Sequence, residues 1–137
     1  MACVLLNLDM PGARSILIAD DNGDVRDALA IALREEGYRV RAARDAYEAL
    51  RVFAATHPDL LLSDIRMPGD GLSLLRQVHD MNPETPVILM TAYERPGDRN
   101  QAIEGGATDF LIKPVGGERL RAALRRAFDA SESDSAE

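Results

Sequence analysis

Acidic, hydroxyl and basic side chains follow the short apolar runs of this chain. Asp20 and Asp21 come directly after "ILIA", and Asp64 comes directly after "LLLS". Thr91 follows "VILM", and Lys113 follows "FLI". A carboxylate beside a core is unfavourable unless a partner uses its charge. Carboxylates bind divalent cations, whereas a hydroxyl and an ammonium bind phosphoryl oxygens, so these residue types indicate phosphoryl chemistry.

Each of these residues has an ordinary structural explanation when it is taken alone. An Asp after a strand commonly caps a helix or forms a turn, because its side chain accepts hydrogen bonds from nearby backbone amides. A single Thr or Lys at a strand end indicates nothing. The recurrence of such residues at matching strand ends is what predicts a site.

Three carboxylates gathered in one place require a positive partner. Two unit charges about 4 Å apart repel by roughly 4 kcal/mol at an effective dielectric constant near 20. Either protons stay bound or a cation sits among the carboxylates. Mg²⁺ suits oxygen ligands of this kind and also binds phosphate. The set therefore predicts phosphoryl transfer, in which positioning and charge neutralisation supply most of the catalysis.

The elements that must position these residues follow from hydrophobic periodicity. Short apolar runs, each bounded by Gly, Pro or Asp, predict five strands at 16–19, 39–42, 60–63, 87–90 and 110–112. Helical spacing of apolar residues predicts helices at 25–33, 46–54, 72–78 and 120–128, with a short, mobile helix between strands four and five. Alternating units of this kind predict a parallel sheet covered on both faces. The carboxyl ends of its strands then meet at one edge.

Composition narrows the class of protein. The chain has 137 residues, which suits one domain with a single core, and its net charge is −7 from 16 basic and 23 acidic residues. That charge argues against nucleic-acid binding by this segment and against binding to an anionic membrane. Cys3 is the single cysteine, which excludes an internal disulfide. The apolar start is too short for a signal peptide or a membrane span, so we expect a cytoplasmic protein.

Four motifs together resemble the receiver domains of two-component response regulators. They are "DD" after strand one, "SDIRMPG" after strand three, "MTA" after strand four and "GGATDFLIKP" into strand five. The resemblance implies a flavodoxin-like, doubly wound α/β fold with strand order 2-1-3-4-5 and helices on both faces. It divides the chain into an amino-terminal extension (1–13), a receiver domain (14–129), and an acidic tail or linker start (130–137).

The resemblance also assigns a role to each candidate residue. Asp64 would be the phosphoacceptor, receiving a phosphoryl group from a sensor histidine kinase. Asp21 and Asp64 would bind Mg²⁺ directly, Asp20 would help through water, and the backbone carbonyl of Arg66 would complete the protein ligands. The domain would be a regulatory phosphoacceptor that catalyses its own phosphorylation and dephosphorylation.

Further positions would convert phosphorylation into a signal. Lys113 and Thr91 would hold the phosphoryl oxygens, and Phe110 occupies the position of the family's switch aromatic. Arg66 and Tyr93 flank the route of the hydrolytic water in the family, so this bulky pair is expected to slow self-dephosphorylation. A homodimer through helix four, strand five and helix five, and an output domain or downstream protein, are the expected further partners.

One departure from the family concerns the loop after Asp64. The segment "MPGDGL" has one residue fewer between "MP" and "GL" than the family usually has. We therefore expect a tighter loop before the third helix.

Several other functions are compatible with an alternating α/β chain that has acids at its strand ends. A flavin-binding electron carrier needs a Ser-, Thr- and Gly-rich phosphate loop where this chain has "DDNGD". An aspartate-nucleophile phosphatase needs an acid–spacer–acid pattern after strand one, and a calcium loop counted from Asp20 places Val25 where glycine is required. A stand-alone phosphorelay intermediate and a degenerate receiver that only binds partners stay open.

Overall fold

The computed structural model describes residues 13–136, with side chains described as far as Ala130. Within this range the strands are β1 (Ser15–Ala19), β2 (Arg39–Ala43), β3 (Leu60–Asp64), β4 (Val87–Thr91) and β5 (Asp109–Ile112). The helices are α1 (Gly23–Glu35), α2 (Ala46–Thr56), α3 (Gly71–Met81), α4 (Asp98–Glu104) and α5 (Gly117–Ala136). Strands and helices alternate as the periodicity predicts, and the helix before β5 is the short one.

All five strands are parallel and lie in the order β2-β1-β3-β4-β5. The predicted fold class is therefore confirmed. The strand order reverses beside β1, which is where doubly wound sheets form their sites. The register pairs Ala19 with Ser63 and Asp64 with Met90, so β1, β3 and β4 end at nearly the same level.

Helices cover both faces of the sheet. Along β1, Ile16 and Ile18 face the core that α1 and α5 cover, whereas Leu17 and Ala19 face the core of α2, α3 and α4. Every residue of β3 and β4 is buried. Strands buried on both faces are apolar at successive positions, which explains why the runs in the sequence are continuous rather than alternating.

The acid pair lies in the turn between β1 and α1. The side chain of Asn22 accepts hydrogen bonds from the backbone amides of Asp24 and Val25 at 3.0 and 3.2 Å, and this fixes the start of α1. Asp20 and Asp21 are therefore held between the end of a strand and a helix cap, at the carboxyl edge of the sheet.

The loop between β3 and α3 is tight. Gly69 and Asp70 both have positive φ values, 87° and 67°, and the Asp70 side chain caps α3 by accepting from the Leu72 amide at 3.2 Å. Gly71 approaches β3 so closely that a Cβ there would lie 2.1 Å from the carbonyl oxygen of Asp64. Glycine at position 71 is thus what allows α3 to begin directly beside the end of β3.

The last helix is longer than the periodicity predicts. The helix α5 continues to Ala136, so the backbone is helical through most of the segment 130–137, which the sequence predicts as an acidic tail or linker start. Helix propagation needs only one new backbone bond per residue, so a helix can extend beyond its packed face. The predicted extension 1–13 lies outside the described residues except for Ala13. Within residues 13–136, none of the helices has the length and apolar character needed to cross a bilayer.

We predict that Gly71→Ala destabilises the domain by about 3 kcal/mol, because the new methyl group would collide with backbone rather than with a flexible side chain. Gly116→Ala is the matched control, since nothing lies within 4 Å of its Cβ position, and it should change stability by less than about 0.5 kcal/mol. Urea unfolding followed by circular dichroism measures both. Equal midpoints for the two variants would contradict the close approach at Gly71.

Candidate functional site

The three predicted carboxylates come together at the carboxyl edge of the sheet. Asp20 and Asp21 follow β1, and Asp64 is the last residue of β3, the neighbouring strand. One oxygen of each carboxylate lies within 4.8 Å of the corresponding oxygens of the other two. Asp20 and Asp64 are buried, whereas Asp21 is exposed. The cluster therefore has a buried floor and one ligand facing solvent.

Lys113 supplies the cluster with a positive charge. Its Nζ lies 2.6 Å from Oδ2 of Asp20 and 3.2 Å from Oδ2 of Asp64, so one ammonium donates to both buried carboxylates. The backbone amide of Lys113 donates to the carbonyl oxygen of Thr91 at 2.8 Å, which continues the pairing of β4 and β5. The predicted convergence of residues from β1, β3 and β5 is thus observed.

Burial changes the protonation behaviour of the acceptor. Desolvation by burial raises the pKa of Asp64 above its ordinary value, the nearby Lys113 lowers it, and the negative Asp20 raises it again. Burial alone would lower the pKa of Lys113, but hydrogen bonds and charge interactions with Asp20 and Asp64 raise it overall. The lysine is therefore held protonated, whereas the charge on Asp64 is unfavourable in the folded protein.

Two backbone contacts fix the position of Asp20. Its Oδ1 accepts from the backbone amide of Asn22 at 2.9 Å, and its carbonyl oxygen accepts from Nη1 of Arg26 at 2.8 Å. Sequence reasoning did not identify Arg26. The one feature of the sequence that could have indicated it is its position near the start of α1, six residues after Asp20.

Thr91 and Tyr93 form a local turn at the end of β4. The hydroxyl of Thr91 donates to the carbonyl oxygen of Tyr93 at 3.0 Å and accepts from the Tyr93 amide at 3.3 Å. The hydroxyl is buried at the predicted sheet edge, but its hydrogen bonds within the described chain are to Tyr93 and not to Asp64 or Lys113. Tyr93 itself is 73% exposed.

Phe110 lies on β5, two positions before the end of the strand. It pairs in register with Leu89, is partly buried, and packs against the core on the α4 side. The guanidinium carbon of Arg99, on α4, lies 4.5 Å from the centroid of its ring. The predicted switch aromatic therefore contacts α4 and a cation in this structure.

Arg66 contacts the acceptor through its backbone and α4 through its side chain. Its amide donates to Oδ1 of Asp64 at 3.3 Å, and its guanidinium forms an ion pair with the carboxylate of Asp98, the first residue of α4. Sequence reasoning did not identify Asp98 either. An acid at the first position of a helix is common, and nothing in the local sequence links it to an arginine in another loop.

The donor set fits a hard divalent cation. All three clustered groups offer carboxylate oxygens, the ligand type that Mg²⁺ prefers, and one of them faces solvent. Burial is the main cause of the raised pKa of Asp64, and the negative charge of the neighbouring Asp20 adds to the rise despite the ammonium of Lys113. A cation among these oxygens would relieve that charge, so the cluster could hold a metal ion.

Comparison with known proteins assigns the family. The sequence family described as "Response regulator receiver domain" matches residues 16–125. Because this match spans most of the chain, the chain belongs to the receiver domains of two-component response regulators, which are regulatory domains. The predicted family is confirmed.

Individual relatives agree with this assignment. The chain is 40% identical over 120 residues to the regulatory protein AtoC of Escherichia coli (strain K12), covering 87% of this chain and 26% of that protein. It is 37% identical over 125 residues to the response regulator MprA of Mycobacterium avium (strain 104), covering 88% of this chain and 55% of that protein. The chain therefore spans about a quarter to a half of the length of these relatives.

Solved structures give the same result. A CheY-like receiver domain protein from Methanospirillum hungatei superposes with a TM-score of 0.87 at 29% identity, covering 90% of this chain and 99% of that one. NtrX from Brucella abortus, crystallised with ADP, superposes with a TM-score of 0.84 at 36% identity, covering 90% of this chain and 29% of NtrX.

We predict that Asp64→Asn stabilises the metal-free protein at neutral pH. A carboxyl with a raised pKa binds its proton more tightly in the folded state, so stability falls as pH rises above the ordinary value of 3.8. The substitution removes this loss, and its gain should shrink as the pH falls through 3.8 and vanish well below it, where Asp64 is protonated in both states. Urea unfolding in EDTA at several pH values measures the difference.

The exposed Asp27 on α1 provides the control for this prediction, since Asp27→Asn removes one negative charge that is not among the three clustered carboxylates. Its stability should follow that of the wild type over the same pH range. A metal-free Asp64→Asn protein that is less stable than the wild type at pH 7 would contradict the electrostatic account.

Proposed function

We propose that this domain is a phosphoacceptor of two-component signalling, in which Asp64 receives a phosphoryl group from a sensor histidine kinase. The observation that carries the proposal is the bridging of Asp20 and Asp64 by Nζ of Lys113 inside a cluster of three carboxylates. A purely structural ion pair would need one acid and one base. The surplus of acids supports a site that binds a cation and a phosphoryl group.

The chemical step is a transfer between two nucleophiles. A carboxylate oxygen of Asp64 attacks phosphorus, the bond between phosphorus and the histidine nitrogen of the kinase breaks, and the imidazole leaves with the bonding electrons. In a separate hydrolytic step, water attacks the phosphorus of the acyl phosphate, the bond between phosphorus and the Asp64 oxygen breaks, and inorganic phosphate and the free Asp64 carboxylate result. The domain catalyses both steps on itself, because Lys113 lies where it can neutralise charge on the transferred oxygens.

Mg²⁺ is the proposed cofactor, held by Asp20, Asp21, Asp64 and the backbone carbonyl of Arg66. When bound, the ion neutralises the carboxylates and the incoming phosphoryl oxygens. Lys113 holds the opposite side as a point charge. The hydrogen bonds that Asp20 receives from Asn22 and Arg26 keep its carboxylate at the edge of the sheet.

The added charge is the signal. Phosphorylation replaces one negative charge by about two and adds strong acceptors. The hydroxyl of Thr91, which now donates to Tyr93, would turn to a phosphoryl oxygen. Phe110 would then move from its contact with Arg99 toward the space near Thr91. These changes alter the surface of α4, β5 and α5, where Ile103 of α4 exposes apolar area.

That surface is the proposed site of homodimerisation or of docking to an output domain or downstream protein. We further propose a cytoplasmic location, no direct nucleic-acid or membrane binding by this segment, and the division of the chain at residues 14 and 129. The length of the relatives supports an output beyond the receiver, since matched regions cover 26% of AtoC and 55% of MprA.

Incubation with acetyl phosphate and Mg²⁺, followed by intact mass measurement, tests the proposal. The wild type should gain one phosphoryl group, and Asp64→Asn should gain none. Asp27→Asn is the matched control, and it should gain a phosphoryl group as the wild type does. EDTA should abolish the gain in every variant. Failure of the wild type to gain mass under any condition would contradict the function.

The lifetime of the acyl phosphate tests the proposed roles of Arg66 and Tyr93. Both side chains shield the route of the hydrolytic water, so Arg66→Ala and Tyr93→Ala should each dephosphorylate faster than the wild type once acetyl phosphate is removed. The decay is followed by intact mass. Unchanged decay in both variants would exclude this role.

A further inference from the structure

The ion pair between Arg66 and Asp98 joins the loop after the acceptor to the start of α4. The two residues are 32 positions apart in the chain. Arg66 lies two residues after Asp64, and Asp98 opens the helix that the proposed signal must move. This pair is therefore a direct side-chain link between the loop that follows Asp64 and α4.

The carboxylate of Asp98 is buried, which is unusual for a charged group. The residue is 4% exposed, and its Oδ2 also accepts from the backbone amide of Arg95 at 2.8 Å. Burial by itself raises its pKa, but the hydrogen bonds from Arg66 and Arg95 and the charges of these arginines lower it overall. Asp98 is thus ionised, and its charge depends on Arg66 for compensation.

The guanidinium of Arg66 has hydrogen-bonding capacity left over. Its Nε is buried and has no hydrogen-bond partner among the described residues, although 34% of the side chain is exposed. Unpaired buried donors are unfavourable, so a new acceptor within reach would be bound. A phosphoryl group on Asp64 would provide three acceptor oxygens, and a guanidinium binds such oxygens through two parallel hydrogen bonds.

We propose that Asp98 is a positioning residue that holds the guanidinium of Arg66 away from Asp64, and that phosphorylation transfers this guanidinium to the phosphoryl oxygens. The inference rests on the proposed function. Arg66 is then shared between two anions that compete for it. Because such coupling is reciprocal, phosphorylation weakens the attachment of α4, and weakening that attachment favours the phosphorylated form.

The helix α4 depends strongly on this attachment. It has seven residues, a length that is marginal for an isolated helix. Its N-cap residue is Gly97, which has no side chain that could accept a hydrogen bond from the first turn. The buried residues of the helix are Asp98 and Ala102. Loss of the partner of Asp98 therefore removes one of two buried anchors and loosens the first turn.

A double-mutant cycle on phosphoryl lifetime tests the inference. The wild type, Asp98→Asn, Arg66→Ala and the double variant are phosphorylated with acetyl phosphate and Mg²⁺, the donor is removed, and decay is followed by intact mass. Asp98→Asn should prolong the lifetime several-fold, because the guanidinium released from Asp98 can stay on the phosphoryl oxygens and shield them from water. In the Arg66→Ala background the same substitution should have no further effect, because no guanidinium is left to release.

Hydrogen exchange of the unphosphorylated proteins gives a second readout. Backbone amides of α4 should exchange faster in Asp98→Asn than in the wild type. Arg66→Gln tests the same link from its part-exposed end, so it keeps the test available if Asp98→Asn fails to fold. It should likewise speed the exchange of α4, but it should shorten the phosphoryl lifetime, because it removes the guanidinium. Glu36→Gln is the control, since it breaks an exposed ion pair with Arg121 on the opposite face of the sheet. It should change neither lifetime nor exchange.

The outcomes separate this inference from the proposed function. If the wild type is phosphorylated but Asp98→Asn decays at the wild-type rate, the inference is overturned and the proposed function stands. If Asp98→Asn alters decay equally with and without Arg66, its role is structural and the inference is overturned. If the wild type gains no phosphoryl group, the proposed function fails and the inference fails with it.

Discussion

Crowded negative charge at the carboxyl ends of β1 and β3 is the constraint on which the rest of this structure depends. Three carboxylates lie within 4.8 Å of one another, and a single ammonium donates to the two that are buried. Burial and the neighbouring Asp20 raise the pKa of Asp64 despite that ammonium. The folded chain therefore has three carboxylates but only one ammonium at this site. Such a site is suited to a cation and to a reaction that brings more negative charge.

The parallel sheet is what makes this crowding possible. Adjacent strands place the ends of β1 and β3 side by side, and Lys113 reaches them from β5 across the end of β4, where Thr91 lies. The tight β3–α3 loop, made possible by glycine at position 71, carries Arg66 past the acceptor toward α4. The same short connection thus holds both the acceptor Asp64 and the arginine that pairs with the first residue of α4.

The sequence predicted the fold and the central site because both have local signals. Strands buried on both faces appear as short apolar runs, and Asp20, Asp64 and Lys113 each stand directly after such a run. Parallel topology then brings those ends together. The bonding of Thr91 and Arg66 was not predictable in this way. The hydroxyl of Thr91 has alternative rotamers, and the pairing of Arg66 with Asp98 spans 32 residues and depends on the path of two loops. The extension of α5 to Ala136 was not predicted for a different reason: hydrophobic periodicity detects only the part of a helix that has an apolar face, and a helix can continue beyond it.

The most direct test of the account identifies the residue that carries the phosphoryl group. Borohydride reduces an aspartyl phosphate to homoserine, which survives proteolysis and can be located by peptide sequencing in a mass spectrometer. After phosphorylation with acetyl phosphate and Mg²⁺, the account predicts homoserine at position 64 and intact aspartate at positions 20 and 21. Homoserine at position 20 or 21, or a phosphorylated chain with aspartate retained at position 64, would contradict it.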